Sequence, residues 1–182
     1  MYIDQSIAIE KDKEWKEVDS SSSDRYLSLE RCIGKELVDK LHSCKLFMIG
    51  AGAIGCELLK NYAMLGLGTT GKITLTDPDV IEVSNLNRQF LFREKHLRKP
   101  KSQTAAAAAV QMNPHLKGKV EARLDKVCDE TIEIYDENFF KSQSIVTNAL
   151  DNVKARLFID TQCVQSRTAL IDSGTLGPKG HV

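Results

Sequence analysis

The chain has 182 residues, with 25 Lys and Arg against 25 Asp and Glu, a formal net charge of zero, and 42% hydrophobic residues. This length and composition are typical of one globular domain with a substantial core. Because affinity for a polyanion depends on excess positive charge, the balance argues against a nucleic-acid or membrane-surface binder, and any bound anion needs a local site.

Neither a membrane anchor nor a secretory signal is predicted. No apolar run approaches the roughly 20 residues that a membrane span requires. The N-terminus carries acids where a signal peptide would carry bases. The five cysteines are widely spaced and include no CxxC pair, so we expect reduced, mostly buried thiols in an intracellular protein rather than disulfides or a zinc site.

The first 23 residues predict a tail that is separate from the folded domain. A β-like alternation at 2–9 and a charged stretch lead to four consecutive serines at 20–23, which are typical of a flexible linker. We therefore place the domain at 24–182.

From Asp24 onward, helical and strand patterns alternate. Asp24 is expected to cap a helix that runs to about residue 41. The following elements are predicted in chain order: a strand at 45–50, a helix at 53–65, a strand at 72–77, a helix at 101–112, a strand at 119–124, a helix or turn within 129–140, a strand at 144–150, a helix at 152–165 and a strand at 168–174. Five strands separated mainly by helices predict a Rossmann-like, doubly wound α/β fold, with a mainly parallel sheet and helices on both faces.

A phosphate-binding turn is predicted where the first strand meets the next helix. Residues 50–55 read GAGAIG, which matches GxGxxG directly after an apolar strand. Gly50 permits the tight turn, Gly52 lets a phosphate approach the backbone, and Gly55 allows close packing of helix and strand. Asp77 ends the second strand, where a carboxylate accepts hydrogen bonds from ribose hydroxyls; its alternative role is to cap the turn that follows. These features do not separate a dinucleotide from ATP.

The long segment between Asp77 and the helix at 101–112 favours ATP. Loops of this length in compact domains are usually functional. The segment contains Asn85, Arg88 and Gln89, and it ends at Lys101. Arg88 and Lys101 can together offset the negative charge of a triphosphate. We expect the cations of 93–99 to be solvated, but not Arg88, because an idle guanidinium between Leu86 and Phe90 would be costly to cover.

Asp151 is the candidate magnesium ligand. It follows the fourth strand at the carboxyl edge of the sheet, where ligands bind in open α/β sheets. One carboxylate oxygen suits a magnesium ion that keeps waters and phosphate oxygens as its other ligands. The alternative role of Asp151 is to cap the next helix, and both roles are compatible.

Five segments of the chain carry a family resemblance. GAGAIGCELLKN, TDPDVIEVSNLNRQFLF, KSQTAAAAAVQMNP, NALDNVKAR and DSGTLGPKGHV together resemble the active adenylation domain of eukaryotic ubiquitin-activating enzymes, over about residues 24–182. The resemblance implies a ThiF-type domain that uses ATP and Mg²⁺. It also implies a two-stage reaction, in which the C-terminal carboxylate of ubiquitin or a ubiquitin-like protein is adenylated and then passed to a cysteine.

The same resemblance implies a role for each matching residue. It assigns Ala53 to the nucleotide, Asp77 to the ribose, Asn85, Arg88 and Gln89 to the phosphates, Lys101 to the phosphates or ribose, Lys126 and Val127 to the adenine, and Asp151 to magnesium with Asn152 beside it. Arg88, Lys101 and Asp151 are thereby the candidate catalytic residues. The implied compartments are the cytoplasm and nucleus.

The sequence also departs from the family. The nucleophilic cysteine of such enzymes lies in a later domain, and none of the five cysteines here matches it. The inactive partner adenylation domain is not represented either, and DRYLSLERCIGKEL replaces the usual RYDGQ, which leaves no assigned role for Arg25. We expect a fragment, truncated isoform or incomplete gene model that alone binds MgATP weakly or not at all and forms no thioester.

Two other functions stay open at this point. One is an NAD-dependent oxidoreductase domain, against which SNLNRQ and Lys101 argue. The other is a non-catalytic module that keeps nucleotide or partner binding without the chemistry.

Overall fold

The computed structural model describes residues 24–176 and 179–182, so the tail predicted for 1–23 lies outside the described residues. The helices are α1 (Leu27–Ile33), α2 (Lys35–Ser43), α3 (Ala53–Leu65), α4 (Lys101–Met112), α5 (Glu137–Lys141) and α6 (Val153–Ser166). The strands are β1 (Lys45–Ile49), β2 (Lys72–Thr76), β3 (Val120–Arg123), β4 (Ile145–Asn148), β5 (Leu170–Asp172), β6 (Gly174–Leu176) and β7 (Lys179–His181). Short 3₁₀ turns occur at Val83–Asn85, Glu94–His96, Pro114–Leu116 and Asp129–Thr131.

Strands β1 to β5 form one sheet in the order β3-β2-β1-β4-β5, and every neighbouring pair is parallel. The strand order reverses direction at β1, so the crevice beside its carboxyl end is the topological switch point of the fold. The Rossmann-like α/β prediction is therefore confirmed. A separate antiparallel pair, β6 with β7, follows the sheet and was not predicted.

Two cores lie on opposite faces of the sheet. Because side chains alternate along a strand, Leu46 and Met48 of β1 join the core under α3 and α4. Phe47 and Ile49 join the core that α5 and α6 cover. The sheet is thus buried on both faces, which explains why its strands read as short, continuous apolar runs.

The predicted N-terminal helix is wrong in two respects. It is divided into α1 and α2 at Gly34, whose φ of 86° and ψ of 148° break the helical path. Asp24 does not cap α1: its carboxylate accepts a hydrogen bond at 3.0 Å from the N–H of Tyr26, the residue immediately before the helix. Arg25 donates to the carbonyl of Met112 at 2.8 Å and so ties this segment to the end of α4.

No helix among the described residues is long and apolar enough to cross a bilayer.

All five cysteines are free thiols, but only Cys56 and Cys163 are buried, so the prediction of mostly buried thiols is wrong. Burial raises the pKa of the Cys56 thiol to about 11 and that of Cys163 to about 12, whereas Cys32 is exposed.

The thiolate is the reactive form of cysteine, so at pH 8 iodoacetamide should modify Cys32 roughly a hundredfold faster than Cys56 or Cys163. Peptide mass spectrometry after a short pulse measures this, with guanidinium-unfolded chain as the control. Equal labelling of Cys163 and Cys32 in the folded chain would contradict the buried position of Cys163.

Candidate nucleotide-binding site

The carboxyl ends of the parallel strands meet in one large cavity of about 1070 Å³. It opens at the N-terminus of α3, at the switch point of the sheet. Twelve of the residues predicted for the site line this cavity: Gly50, Gly52, Ala53, Asp77, Asn85, Arg88, Gln89, Lys101, Lys126, Val127, Asp151 and Asn152. The thirteenth, Gly55, lies behind the turn, as its packing role requires.

The three glycines of the turn have three different surroundings. Gly50 has a φ of 99°, and a Cβ there would lie 2.7 Å from the carbonyl oxygen of Ala149. A Cβ on Gly55 would lie 2.3 Å from the carbonyl oxygen of Gly50, so only glycine lets α3 pack so closely against the turn. A Cβ on Gly52 would meet no atom within 4 Å. Gly52 therefore has open space in front of it, where a phosphate could approach the backbone.

Helix α3 offers donors to that space. Gly52 is its N-cap, and no side chain caps the first turn. The helix has 13 residues, so its N-terminal N–H groups and its dipole together favour an anion at this end.

Asp77 is tied to the turn by its carboxylate. It is buried, and it accepts hydrogen bonds from the N–H of Ala51 at 2.6 Å and from the N–H of Asp79 at 2.9 Å. Burial raises the pKa of this carboxyl, and the two N–H bonds offset part of that rise. The alternative turn-capping role is thus present, while each oxygen keeps a second lone pair for a ribose hydroxyl.

Arg88 is exposed, so the prediction that it is not a solvated cation is wrong. The surrounding loop turns the guanidinium outward, where it donates to the carbonyl of Ser84 at 2.8 Å and contacts Asn87 Oδ1 at 3.3 Å. These bonds hold a solvated cation at the rim of the cavity. Its positive charge stays available to a ligand.

Two amide side chains of the same loop are buried beside Arg88. Asn85 Oδ1 accepts the N–H of Glu82 at 2.9 Å and closes the 3₁₀ turn, so this oxygen has a structural role. Gln89 Oε1 has no hydrogen-bond partner among the described residues, although its side chain is 97% buried and lines the cavity. An unsatisfied buried amide oxygen needs a partner from outside the chain.

Lys101 is the buried cation of the site. It begins α4, is 7% exposed, and places Nζ 2.8 Å from Asp79 Oδ2. Its apolar stem is packed, and its ammonium is paired with a carboxylate that is itself exposed. The ammonium thus lies at the cavity, near enough to the Asp77 carboxyl to lower its pKa.

The loop after β4 brings Asp151 and Asn152 to the cavity. The helix-capping role belongs to Asn152, whose Oδ1 accepts the N–H of Ala155 at 3.2 Å, so the capping alternative for Asp151 is wrong. Asp151 is exposed, and its carboxylate has no hydrogen bond or ion pair within the described part of the chain. It is therefore available as a ligand.

Two lining residues, Thr76 and Arg156, were not predicted from the sequence. Arg156 and Asp172 form a two-pronged ion pair at 2.6 to 3.1 Å that joins α6 to the end of β5. Arg156 stands one helical turn after Asn152, and that spacing was a usable signal. Thr76, the last residue of β2, has no such signal in the sequence, because threonine is common in strands.

The family comparison agrees with this geometry. Residues 24–182 match the ThiF family. The chain belongs to the ThiF family. This ThiF-family chain is 53% identical over 161 residues to ubiquitin-like modifier-activating enzyme 6 of Mus musculus, covering 87% of this chain and 15% of the mouse protein.

Two further relatives place the ThiF-family chain in the same group. It is 55% identical over 150 residues to ubiquitin-activating enzyme E1 1 of Candida albicans, which covers 81% of this chain and 15% of that protein. It is 49% identical over 186 aligned positions to ubiquitin-like modifier-activating enzyme 1 of Homo sapiens, covering 100% of this chain and 17% of that protein. The resemblance to ubiquitin-activating enzymes is thus confirmed, and the chain spans about a sixth of the length of these relatives.

Among solved structures, the ThiF-family chain resembles the E. coli tRNA N6-threonylcarbamoyladenosine dehydratase TcdA. The TM-score is 0.73 with 23% identity, covering 84% of this chain and 62% of TcdA. One of the similar TcdA structures is a complex with ATP. At this identity the likeness establishes the shared fold.

The donor set of the ThiF-family site fits a magnesium ion bound together with a nucleotide. Among the described residues, no group of three or more His, Cys, Asp or Glu side chains could hold a metal by itself. Mg²⁺ in nucleotide sites commonly uses one or two carboxylates plus phosphate oxygens, and the unengaged carboxylate of Asp151 meets that need. The site therefore suits a metal that arrives with its phosphates.

Proposed function

We propose that this chain binds MgATP and provides the adenylation site for the C-terminal carboxylate of ubiquitin or a ubiquitin-like protein. The observation that carries the proposal is the single cavity in which the glycine turn, Asp77, Arg88, Lys101 and Asp151 come together. Two cations and a helix N-terminus suit a triphosphate, whereas a dinucleotide pyrophosphate needs less positive charge.

The proposed residues act by position and charge. Lys101 and Arg88 would hold phosphate oxygens, and Asp77 a ribose hydroxyl. Asp151 would hold Mg²⁺, which supplies charge neutralisation on the phosphates. Phosphoryl and nucleotidyl transfer depend mainly on such positioning and charge compensation.

The reaction has a simple atomic balance. A carboxylate oxygen of the modifier attacks the α-phosphorus of ATP, the bond from that phosphorus to the bridging oxygen of pyrophosphate breaks, and pyrophosphate leaves. The products are an acyl-adenylate and pyrophosphate, and no proton transfer is required. Transfer to a cysteine would use a thiol outside this site, since no cysteine among the described residues lines the cavity.

The names of the relatives support the wider setting of this proposal. The chain would work with the further domains of an activating enzyme, namely an inactive adenylation domain and a catalytic cysteine domain. Nuclear and cytoplasmic location is part of the same proposal.

Nucleotide preference is the first test. Calorimetric titration of the full chain with MgATP and with NADH should show weak binding that favours MgATP. Preference for NADH would replace the proposal with the oxidoreductase alternative.

Asp151→Ala provides the second test. Ubiquitin-dependent exchange between ATP and pyrophosphate, measured with the chain supplemented by the remaining domains of a related activating enzyme, should fall at least about a hundredfold in this variant, as losing a metal ligand demands. Asp160→Ala is the matched control, because Asp160 is an exposed carboxylate on α6 away from the cavity. Exchange that survives Asp151→Ala would contradict the magnesium role, and nucleotide binding without any exchange would favour a non-catalytic module.

A further inference from the structure

The loop after β3 forms one end of the cavity, and we call residues 125–128 the base loop. Asp125, Lys126 and Val127 line the cavity there. The sheet order places β3 two strands from β1, so this loop lies about 10 Å along the sheet edge from the glycine turn. Val127 is 3% exposed and gives this end an apolar wall, in contrast to the charged end near Arg88 and Asp151.

Two threonine hydroxyls fix the carbonyl groups of the base loop. Thr76 Oγ1, at the end of β2, donates to the carbonyl of Asp125. Thr131 Oγ1 donates to the carbonyl of Lys126 at 2.6 Å and accepts the N–H of Cys128 at 3.1 Å. The hydroxyl of Tyr135, a fully buried residue, lies 3.4 Å from Thr76 Oγ1 and extends this chain of polar contacts into the core.

These bonds leave the backbone N–H and C=O of Val127 free. Neither the N–H nor the C=O of Val127 forms a hydrogen bond within the residues that the structure describes. A donor and an acceptor on one residue match the edge of adenine, which offers an acceptor ring nitrogen beside an amino group. The match requires that the N–H and C=O of Val127 keep a fixed orientation. If the base loop could rotate, these groups could pair with guanine as well as with adenine.

We propose that Thr76 and Thr131 are positioning residues that hold the base loop so that the backbone of Val127 selects adenine. This inference rests on the proposed ATP site and adds how its base is chosen. Neither threonine needs to touch the nucleotide. Their hydroxyls occupy the carbonyls of Asp125 and Lys126, so those acceptors turn away from the ligand and Val127 faces it.

Thr76→Val tests the first of these residues, because it keeps the shape of the side chain and removes the hydroxyl. The Kd of the full chain for MgATP should rise about tenfold, the value of one hydrogen bond. The Kd for inorganic tripolyphosphate, which has no base, should stay within about twofold of the wild-type value, because its contacts lie at the other end of the cavity. Preference for ATP over GTP should fall with the ATP affinity. Calorimetric titration with all three ligands measures these effects.

Three variants control the experiment. Thr76→Ser keeps a hydroxyl and should restore the preference for ATP. Thr74→Val removes a buried hydroxyl from the same face of β2 without touching the base loop, and should leave all three Kd values unchanged. Thr131→Val provides an independent test if Thr76→Val fails to fold, since Thr131 is only half-buried.

Each outcome decides the inference. Equal weakening of ATP and tripolyphosphate would mean a general structural role and would overturn it, as would no change in either variant. A wild-type chain that binds NADH in place of ATP would remove the proposed function itself. Loss confined to the base-bearing ligands supports the positioning role.

Discussion

Gly55→Ala should destabilise the fold by about 3 kcal/mol, at the upper end for an overpacked core, because the new Cβ has no room. It would lie 2.3 Å from the carbonyl oxygen of Gly50 and 3.3 Å from the terminal methyl of Met48. The first contact is with backbone, so α3 would have to move away from β1. Urea unfolding followed by circular dichroism measures the loss, and nucleotide binding should fall with it.

Gly52→Ala is the matched control for that substitution. A Cβ on Gly52 meets no protein atom within 4 Å, and the φ of −75° is ordinary for alanine. Its urea midpoint should therefore stay close to that of the wild type, while MgATP binding is lost because the methyl group occupies the phosphate position. A Gly52→Ala chain that still binds MgATP normally would show that the phosphates lie elsewhere.

Lys101→Met should weaken MgATP binding by roughly 30-fold to 100-fold. The change keeps much of the buried stem and removes the ammonium of the buried lysine of the cavity, whereas Lys126, which also lines it, is exposed. Charge-assisted hydrogen bonds are worth about 1.5–3 kcal/mol, or roughly 10-fold to 150-fold in Kd, and the expected loss lies within that range. The shift of the thermal unfolding midpoint with increasing MgATP reports the affinity even when binding is weak.

Lys99→Met supplies the comparison, because Lys99 belongs to the same basic stretch and is exposed. It should bind MgATP like the wild type. Equal effects of the two substitutions would mean that only net charge matters, and Lys101 would then have no special place in the site.

The regular elements were predictable because each carries a local signal in the sequence. Helix α4 was predicted with its observed bounds, since an alanine-rich run ends at Asn113 and Pro114. The strands were each predicted one or two residues too long at one or both ends, because the sequence pattern does not mark the last ladder hydrogen bond. The division of α1 from α2 was missed, since Gly34 was not weighed as a helix end.

The site was predictable to the extent that its residues follow strand ends. Gly50, Asp77 and Asp151 each stand where a parallel strand stops, so topology brings them together. The state of each side chain was not predictable in the same way. The outward position of Arg88 and the pairing of Lys101 with Asp79 depend on how a long loop folds over the sheet edge, which no periodic pattern encodes.

The bond from the N–H of Ala51 to Asp77 has a consequence for the thermodynamics of binding. It joins the turn after β1 to the end of β2 through the chain's own groups, so the phosphate cradle is ordered when the chain folds. A rigid receptor loses little conformational entropy when its ligand arrives, and its affinity reflects the contacts alone. Nucleotide association should accordingly proceed in a single kinetic step whose rate rises linearly with nucleotide concentration.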